Sequence, residues 1–402
     1  MGWLLNGLAV FIVTGILVKE WRAQADADVP VKADDNVEAF SLLCRIYNVA
    51  KHPPTKHVDT KDYQRIVEEI DTLSVLVSRY ERVNTKTKEA KLAQQQLVGV
   101  SGEAHKILEE VKNVNPEGEA EKAKEAFNSV IFGEQGKEED LCHGPLRGME
   151  SESRITTCGG NNPEKKGESS GKNLIVDFFC LCAQPNEDDE GVAKVCGVSV
   201  GTADCLGWGT KLYQTDEIWR EVKKGCEAFG PQSTTSTQDG HSIYREFLDK
   251  IAVGGKVKVK NSDTVTKPGM LGTAVSDTGK TNFNCNGKKT VVTRDKVGSG
   301  SCVFYGVDKL ENNTAWLKQF KTGLEIIDKL NNKTASWQSK LTTLINRARG
   351  IYEGAKKASQ KEEEDIEEPK AAPLPNQAEN ETAESTTPSK LHRVLSWVLL
   401  LY

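Results

Sequence analysis

The sequence predicts a mainly α-helical protein, an elongated antiparallel two-helix coiled coil or bundle that carries disulfide-rich loop and small-strand lobes. Two segments, 63–80 and 317–351, repeat apolar residues at alternating steps of three and four, the spacing of a coiled-coil seam. Nine of the ten cysteines lie between them, in residues 133–306. Neither helix can bury its stripe alone, and the intervening chain is long enough to return, so we expect antiparallel packing.

Residues 1–25 have the layout of a secretory signal peptide. An apolar run from Leu4 to Val18 precedes Ala23-Gln24-Ala25, a small-x-small cleavage site. A retained membrane anchor is the alternative, because charged residues separate the run from the cleavage site. The pattern predicts entry into the secretory pathway, with an ectodomain over 26–358.

A first helix is predicted to begin at Asp35, where Asp35-Asn36-Val37-Glu38 forms a capping-box pattern. Pro53-Pro54 should end it, since proline cannot continue a helix. Cys44 falls on the apolar face of this helix, so we expect it to tie the helix to another element.

The next segment predicts one long helical rod. From Asp59 to Gln96 little in the sequence breaks a helix, which gives a rod of about 55 Å at 1.5 Å per residue. Its seam consists of Tyr63, Ile66, Ile70, Leu73, Val77 and Tyr80. A shorter helix is expected after Pro116, with Gly133 as its stop.

Residues 133–306 are rich in glycine and have short apolar runs, which predicts loops and small strands held by disulfides. We expect strands at Leu174–Cys180 and Thr290–Thr293, and a short helix at Thr215–Phe229. Pro231–Gly240 has the composition of an exposed polar loop.

The second long helix is expected to start at a capping box, Asp308-Lys309-Leu310-Glu311. Its seam consists of Leu317, Phe320, Leu324, Ile327, Leu330, Thr334, Trp337, Leu341, Leu344, Ala348 and Ile351. After Ala358 the chain becomes charged and then rich in proline and alanine, so 359–385 is predicted to be a flexible stalk.

The cysteines are even in number and lie in a chain predicted to be secreted, so we expect all ten in disulfides, with the connectivity left open. There is no Cys-x-x-Cys pair, and neither a metal nor another cofactor is expected. The cysteines are Cys44, Cys142, Cys158, Cys180, Cys182, Cys196, Cys205, Cys226, Cys285 and Cys302.

Three Asn-x-Thr triplets predict N-glycosylation, at Asn312, Asn332 and Asn380. We expect at least one to be occupied, because each lies in a polar setting. Asn332 is predicted on the outer face of the second long helix, where a glycan fits.

The chain ends with the pattern of a glycosylphosphatidylinositol (GPI) attachment signal. Small residues at Ser385-Thr386-Thr387 precede a polar spacer and the apolar stub Val394–Tyr402. The stub has nine residues, about half of the ~20 that a membrane-spanning helix needs. We therefore predict lipid attachment at Ser385 and removal of 386–402; an amphipathic or buried terminal helix is the alternative.

Two motifs suggest enzyme chemistry, but their context argues against it. Gly197–Gly201 places Ser199 in a nucleophile-elbow pattern, yet no strong helix follows and His241 is the one plausible later base. Gly279-Lys280-Thr281 resembles the end of a phosphate-binding loop, but Ala274 stands where that motif needs glycine. A net charge of −5 with interleaved signs also argues against nucleic-acid binding.

The order of these features resembles the variant surface glycoproteins of African trypanosomes. The local sequences that support it are Asp177–Ala183 followed by Cys196-Gly197, then Trp219–Cys226, and Cys302–Gly306 before the second long helix. They look most like the Trypanosoma congolense type of the family's B-class N-terminal domain. Many members carry a cysteine-rich C-terminal domain, whereas nothing past Cys302 is cysteine here.

The resemblance implies a densely packed, homodimeric coat molecule, held on the outer leaflet of the plasma membrane by a GPI lipid. It would be exchanged antigenically, meet host antibodies as an antigen and have no enzyme activity. Dimerisation would also cover Trp316, Phe320 and Trp337, unless 133–306 covers them within one chain. The alternative function is a surface receptor on the same scaffold for a host macromolecule or nutrient.

Overall fold

The computed structural model describes residues 29–55, 59–78, 87–147, 149, 153–161, 164–185, 191–201, 215–229, 236–291 and 297–366. The predicted signal peptide, most of the predicted stalk and the predicted lipid-attachment signal lie outside these residues. So do Cys205, Asn380 and Ser385.

Helices dominate the described chain. They are α1 (Val37–Lys51), α2 (Thr60–Ser78), α3 (Lys88–Val114), α4 (Pro116–Phe132), α5 (Arg154–Cys158), α6 (Leu174–Cys182), α7 (Thr215–Cys226), α8 (Thr237–Val253), α9 (Leu310–Asn313) and α10 (Ala315–Ile366). The strands are β1 (Gly159–Asn161), β2 (Glu164–Lys166), β3 (Gly255–Val259), β4 (Val265–Lys267), β5 (Met270–Ser276), β6 (Phe283–Asn284) and β7 (Gly298–Phe304).

At one end of the molecule α2, α3 and α10 pack together around their own apolar core. The prediction of a single rod over 59–96 is wrong, because α2 ends at Ser78 and α3 begins at Lys88. The Thr87 hydroxyl caps the new helix by accepting a hydrogen bond from the Ala90 N–H at 2.9 Å. The bundle therefore contains three helices where the sequence pattern predicted two.

The apolar stripe of α3 explains why it folds back. Its buried residues recur at steps of four and three, which gives a third continuous seam against α2 and α10. These residues are Ala93, Leu97, Val100, Ala104, Ile107 and Val111. Alanines make the stripe less apparent in sequence than the α10 seam, whose members from Leu317 to Ala348 are buried as predicted.

The other end is a lobe built on a seven-stranded sheet of order β2-β1-β6-β7-β5-β3-β4. Its centre is the antiparallel pair β5 and β7, in register from Met270–Phe304 to Val275–Ser299. The β3–β5 and β6–β7 pairs are parallel. The sequence predicted small strands here but no sheet of this size.

The predicted strand at Leu174–Cys180 is wrong, since these residues form the helix α6. Every residue of α6 is buried and all but Asp177 are apolar, so its sequence has no polar face that would reveal a helical period. Of the predicted strand at Thr290–Thr293, residues 290 and 291 are not in a strand and the other two lie outside the described residues. The helix predicted at Thr215–Phe229 is confirmed as α7.

Several predicted boundaries differ from the structure. Helix α1 starts at Val37, and α10 starts at Ala315 after the short helix α9, so neither capping box forms. Helix α8 starts at Thr237, inside the predicted loop that ended at Gly240. Helix α10 also continues past the predicted boundary at 358, to Ile366.

Two of the four carboxylates in the predicted capping boxes have other partners. Asp35 accepts a hydrogen bond from the Lys32 N–H and pairs with Lys258 of β3 at 2.5 Å. Glu311 accepts hydrogen bonds from the Tyr244 hydroxyl and Lys321. Tertiary contacts outweigh the local motif in both cases.

Candidate functional site

The buried helix α6 organises the lobe. It contacts α1, α4, α5, α7 and β7, so its ends cannot reach water. At its start Asn173 accepts a hydrogen bond from the Val176 N–H at 2.9 Å and donates one to the Pro145 carbonyl at 2.9 Å. The N-terminus of α6 is thus capped by a side chain that also fixes the preceding loop.

Asp177 connects α6 to two other elements. Its carboxylate accepts hydrogen bonds from the Gly171 N–H at 2.9 Å, the Tyr305 hydroxyl at 2.9 Å and the Trp316 indole at 2.7 Å. Burial raises the pKa of Asp177 to about 6 in spite of these three bonds. Burial and the neighbouring Asp177 also raise the pKa of Tyr305 well above its usual value.

Arg154 closes the opposite end of α6. Its guanidinium donates hydrogen bonds to the carbonyls of Ala183 at 2.6 Å, Cys180 at 2.8 Å and Phe179 at 3.4 Å. Burial lowers the pKa of Arg154 to about 9, which leaves it a cation at neutral pH. A cation at a helix C-terminus is also favoured by the helix dipole.

Four disulfides lie in the described chain, and they use eight of the ten cysteines predicted to pair. Two hold α6 directly, Cys158–Cys180 and Cys182–Cys196. Cys44–Cys226 joins α1 to α7, which confirms the expected role of Cys44, and Cys285–Cys302 joins the end of β6 to β7.

Cys142 has no disulfide partner among the described residues. It is partly buried, and its sulfur lies 3.4 Å from the Thr215 hydroxyl at the start of α7. Cys205, the other cysteine outside the four disulfides, lies outside the described residues. The pairing of these two stays a prediction.

Two of the three predicted glycosylation sites can be placed. Asn312 lies in α9 and Asn332 in α10, and both are exposed. The threonines of both triplets are buried, where Thr314 and Thr334 donate hydrogen bonds to the carbonyls of Leu310 and Leu330. Exposure agrees with glycan attachment at either asparagine, and occupancy stays a prediction.

The two enzyme-like motifs lie on turns. Ser199 lies in a stretch without helix or strand, where the neighbouring Gly201 N–H donates to Glu221 at 2.7 Å. His241 is on α8 and contacts Asp328 of α10 at 2.7 Å. Gly279-Lys280-Thr281 forms an exposed turn between β5 and β6, with a strand after it where a phosphate-binding loop has a helix.

The described residues contain neither a candidate metal site nor a helix that could span a membrane. Among them no group of three histidine, cysteine or acidic side chains could hold a metal ion. None of the described helices is both long and apolar enough to cross a membrane. Exposed turns such as 261–264 and 278–281 project from the sheet of the lobe.

One comparison with known proteins identifies a family. A family model described as the trypanosomal VSG domain matches residues 79–346, which is more than half of the chain and spans both the bundle and the lobe. No curated protein matches the chain.

Substituting Arg154 by methionine should lower the free energy of unfolding by about 3 kcal/mol or more, since it leaves the carbonyls of Ala183 and Cys180 buried without a donor. Chemical denaturation measures the change. Arg147→Met, at an exposed position, is the matched control and should shift stability by less than about 0.5 kcal/mol. Equal effects of the two substitutions would contradict the role given to Arg154.

The raised pKa of Asp177 predicts a pH dependence of stability. The folded state holds the Asp177 proton more tightly than the unfolded state does. Protonation of Asp177 therefore stabilises the fold in full below pH ~3.8, and this stabilisation is lost as pH rises through about 6. Relative to Asp177→Asn, which cannot titrate, the wild type should gain about 1 kcal/mol between pH 7.5 and pH 5. Asp263→Asn, on an exposed turn, should show no such difference. If the stability difference between wild type and Asp177→Asn does not change with pH, the pKa of Asp177 is not raised.

All ten cysteines are predicted to be oxidised, with Cys142 and Cys205 as the pair left after the four disulfides. Thiol titration of the denatured, unreduced protein should therefore find essentially no free thiol, and the same sample after reduction should show ten. Two reactive thiols before reduction would show that Cys142 and Cys205 stay free.

Proposed function

Because the chain belongs to the trypanosomal VSG domain family and is thus a trypanosome surface coat glycoprotein, we propose that it shields the parasite membrane as a GPI-anchored, antigenically exchanged coat molecule. The family match over 79–346 carries this proposal. The match favours a coat protein over a receptor on the same scaffold. The closer likeness to the Trypanosoma congolense type belongs to the proposal as well.

The shape of the molecule supports a coat function. Helix α10 has 52 residues, about 78 Å at 1.5 Å per residue. Its first part, through Ile327, packs in the core of the lobe, and Trp337–Ala355 pack in the core of the bundle. The chain therefore leaves the bundle at the end opposite the lobe. An anchor beyond that end would hold the lobe away from the membrane on a narrow base.

Ser385 is the proposed lipid-attachment residue. It begins the run Ser385-Thr386-Thr387, whereas Asn380 is followed by the bulky Glu381 and would serve less well. A lipid with two acyl chains would hold the protein stably, since a single chain gives marginal binding at ~0.8 kcal/mol per buried methylene.

A phosphatidylinositol-specific phospholipase should release this protein from intact cells. If the protein forms a coat, it should make up most of the released protein mass. Mass spectrometry of the released protein should find a C-terminal peptide that ends at Ser385 and carries a glycan-ethanolamine group. A mature surface protein that still contains Trp397 would refute removal of the tail, and a low copy number would favour a receptor.

The aromatic side chains that were expected to need a dimer partner are already covered. Trp316, Phe320 and Trp337 are buried within one chain, so they need no second copy to cover them. Phe247 lies 4.8 Å from Trp316 and Phe127 lies 5.9 Å from Phe320, both measured between ring centres. The alternative that residues 133–306 help to cover them is correct for Trp316, since Phe247 belongs to that range.

A homodimer stays part of the proposal, with an interface formed by other residues than these three aromatic side chains. Leu92 of α3 is 55% exposed and borders a shallow groove of about 280 Å³ between α3 and α10. Ile351 and the bare backbone of Gly350 and Gly354 form the α10 side of this groove. In a two-fold pair the same surface supplies both the projecting leucine and the groove that receives it.

Leu92→Glu should convert the dimer to a monomer, because it places a charge in the centre of the proposed contact. Light scattering at micromolar concentration gives the mass. Val98→Glu is the matched control, since Val98 is as exposed (59%) but lies on another face of α3. A wild type that is already monomeric, or a Leu92→Glu variant that stays dimeric, would contradict this interface.

A further inference from the structure

A cavity of about 580 Å³ lies where the lobe meets the bundle. It is bounded by the end of α1, the Pro53 segment after it, the length of α4 and one turn of α10. Its volume falls within the ~300–1,000 Å³ that small-molecule sites usually occupy. The cavity is partly open, so a ligand could enter without unfolding of either core.

The inner surface of the cavity is apolar. Ala50, Ile131, Phe132 and Leu330 form its floor and are buried in the protein. Pro116 and the half-buried Ala120 form the wall on the α4 side. The small Ala50 and Ala120 leave space that larger side chains would fill. A ligand with an apolar body would remove this surface from water, which favours binding.

The rim carries two lysines that are weakly held. Lys124 pairs with Glu121 at 3.4 Å, and both side chains are well exposed, so this pair is worth little. Lys51 lies 3.8 Å from Glu138, which already has a closer partner in Lys223. Burial acts to raise the pKa of Glu138, but the hydrogen bond and charge of Lys223, together with the charge of Lys51, hold the pKa below its usual value.

Two carboxylates also lie on the rim of the cavity, and each has a polar partner. Glu121 holds Lys124, and Glu117 accepts a hydrogen bond from the Thr60 hydroxyl at 3.1 Å. Lys51 therefore has the longest ion pair on the rim, to a carboxylate that Lys223 already holds more closely. An anionic group above an apolar body would complement this arrangement.

We propose that this cavity binds a small amphipathic anion, a medium-chain fatty acid or a compound of similar size, with its apolar body on Ile131 and Leu330 and its carboxylate at Lys51. This binding does not depend on the coat function, because the cavity lies away from the proposed dimer groove and from the exposed turns of the lobe.

Calorimetric titration with decanoate, below the concentration at which it aggregates, tests the proposal on the purified protein. One molecule should bind per chain. Ala120→Leu should weaken binding at least tenfold by filling the cavity, while circular dichroism and melting temperature stay unchanged, since leucine suits a helix. If Ala120→Leu fails to fold, Ala120→Met serves as a more flexible filling variant of similar volume.

Lys51→Met tests the charge, because it keeps the length of the side chain and removes the cation. Decanoate affinity should fall about tenfold, the effect of losing one charge-assisted contact. The affinity for decanol, which has no charge, should not change. Lys122→Met is the matched control on α4, since Lys122 pairs with Glu119 and does not line the cavity.

Three results would overturn the proposal. The first is a wild type without saturable decanoate binding. The second is binding that survives the filling substitution in a folded protein. The third is a Lys51→Met variant that binds decanoate as tightly as the wild type does.

Discussion

The lobe depends on satisfying the ends of a helix that no water reaches. Helix α6 is buried over all nine residues, so its terminal N–H and C=O groups need partners from within the protein. Asn173 serves the first turn, while Arg154 binds three carbonyls at the last turn and Asn36 donates to a fourth, that of Leu181. Burying the Arg154 charge is tolerable because the negative end of the helix dipole and those carbonyls surround it.

The same helix fixes the elements around it. Asp177 holds Tyr305, just after β7, and Trp316, in the first turn of α10, so β7, α6 and α10 meet at one carboxylate. Disulfides from Cys180 and Cys182 attach α5 and the loop at Cys196 to the same helix. These hydrogen bonds and disulfides lie inside the lobe, so the exposed turns of the lobe contribute little to them. Such turns can change in sequence at low cost to stability, as the proposed antigenic exchange would require.

The sequence predicts the helices that have a regular apolar spacing or clear breaker residues at their ends. The seam of α10, the α7 helix and the helix after Pro116 follow from apolar spacing and breaker residues, and the structure has all three. It cannot predict α6 as a helix, since a segment buried on every side has no polar face to mark its period. Asn173, three residues before Val176, is the one local signal of a helix start there. Arg154 and Asp177 escape detection because their partners are distant in sequence and their residue types usually lie on surfaces.

The two cores are joined by one continuous helix, and this decides how the lobe is held. The lobe core uses α10 up to Ile327 and the bundle core uses it from Trp337, with Thr334 buried between them and bonded to the Leu330 carbonyl. The relative orientation of lobe and bundle is therefore set by the backbone hydrogen bonds of α10, which do not depend on the sequence of either surface. The proposed coat function would use this separation, because the outline of the molecule could stay constant while exposed residues of the lobe change.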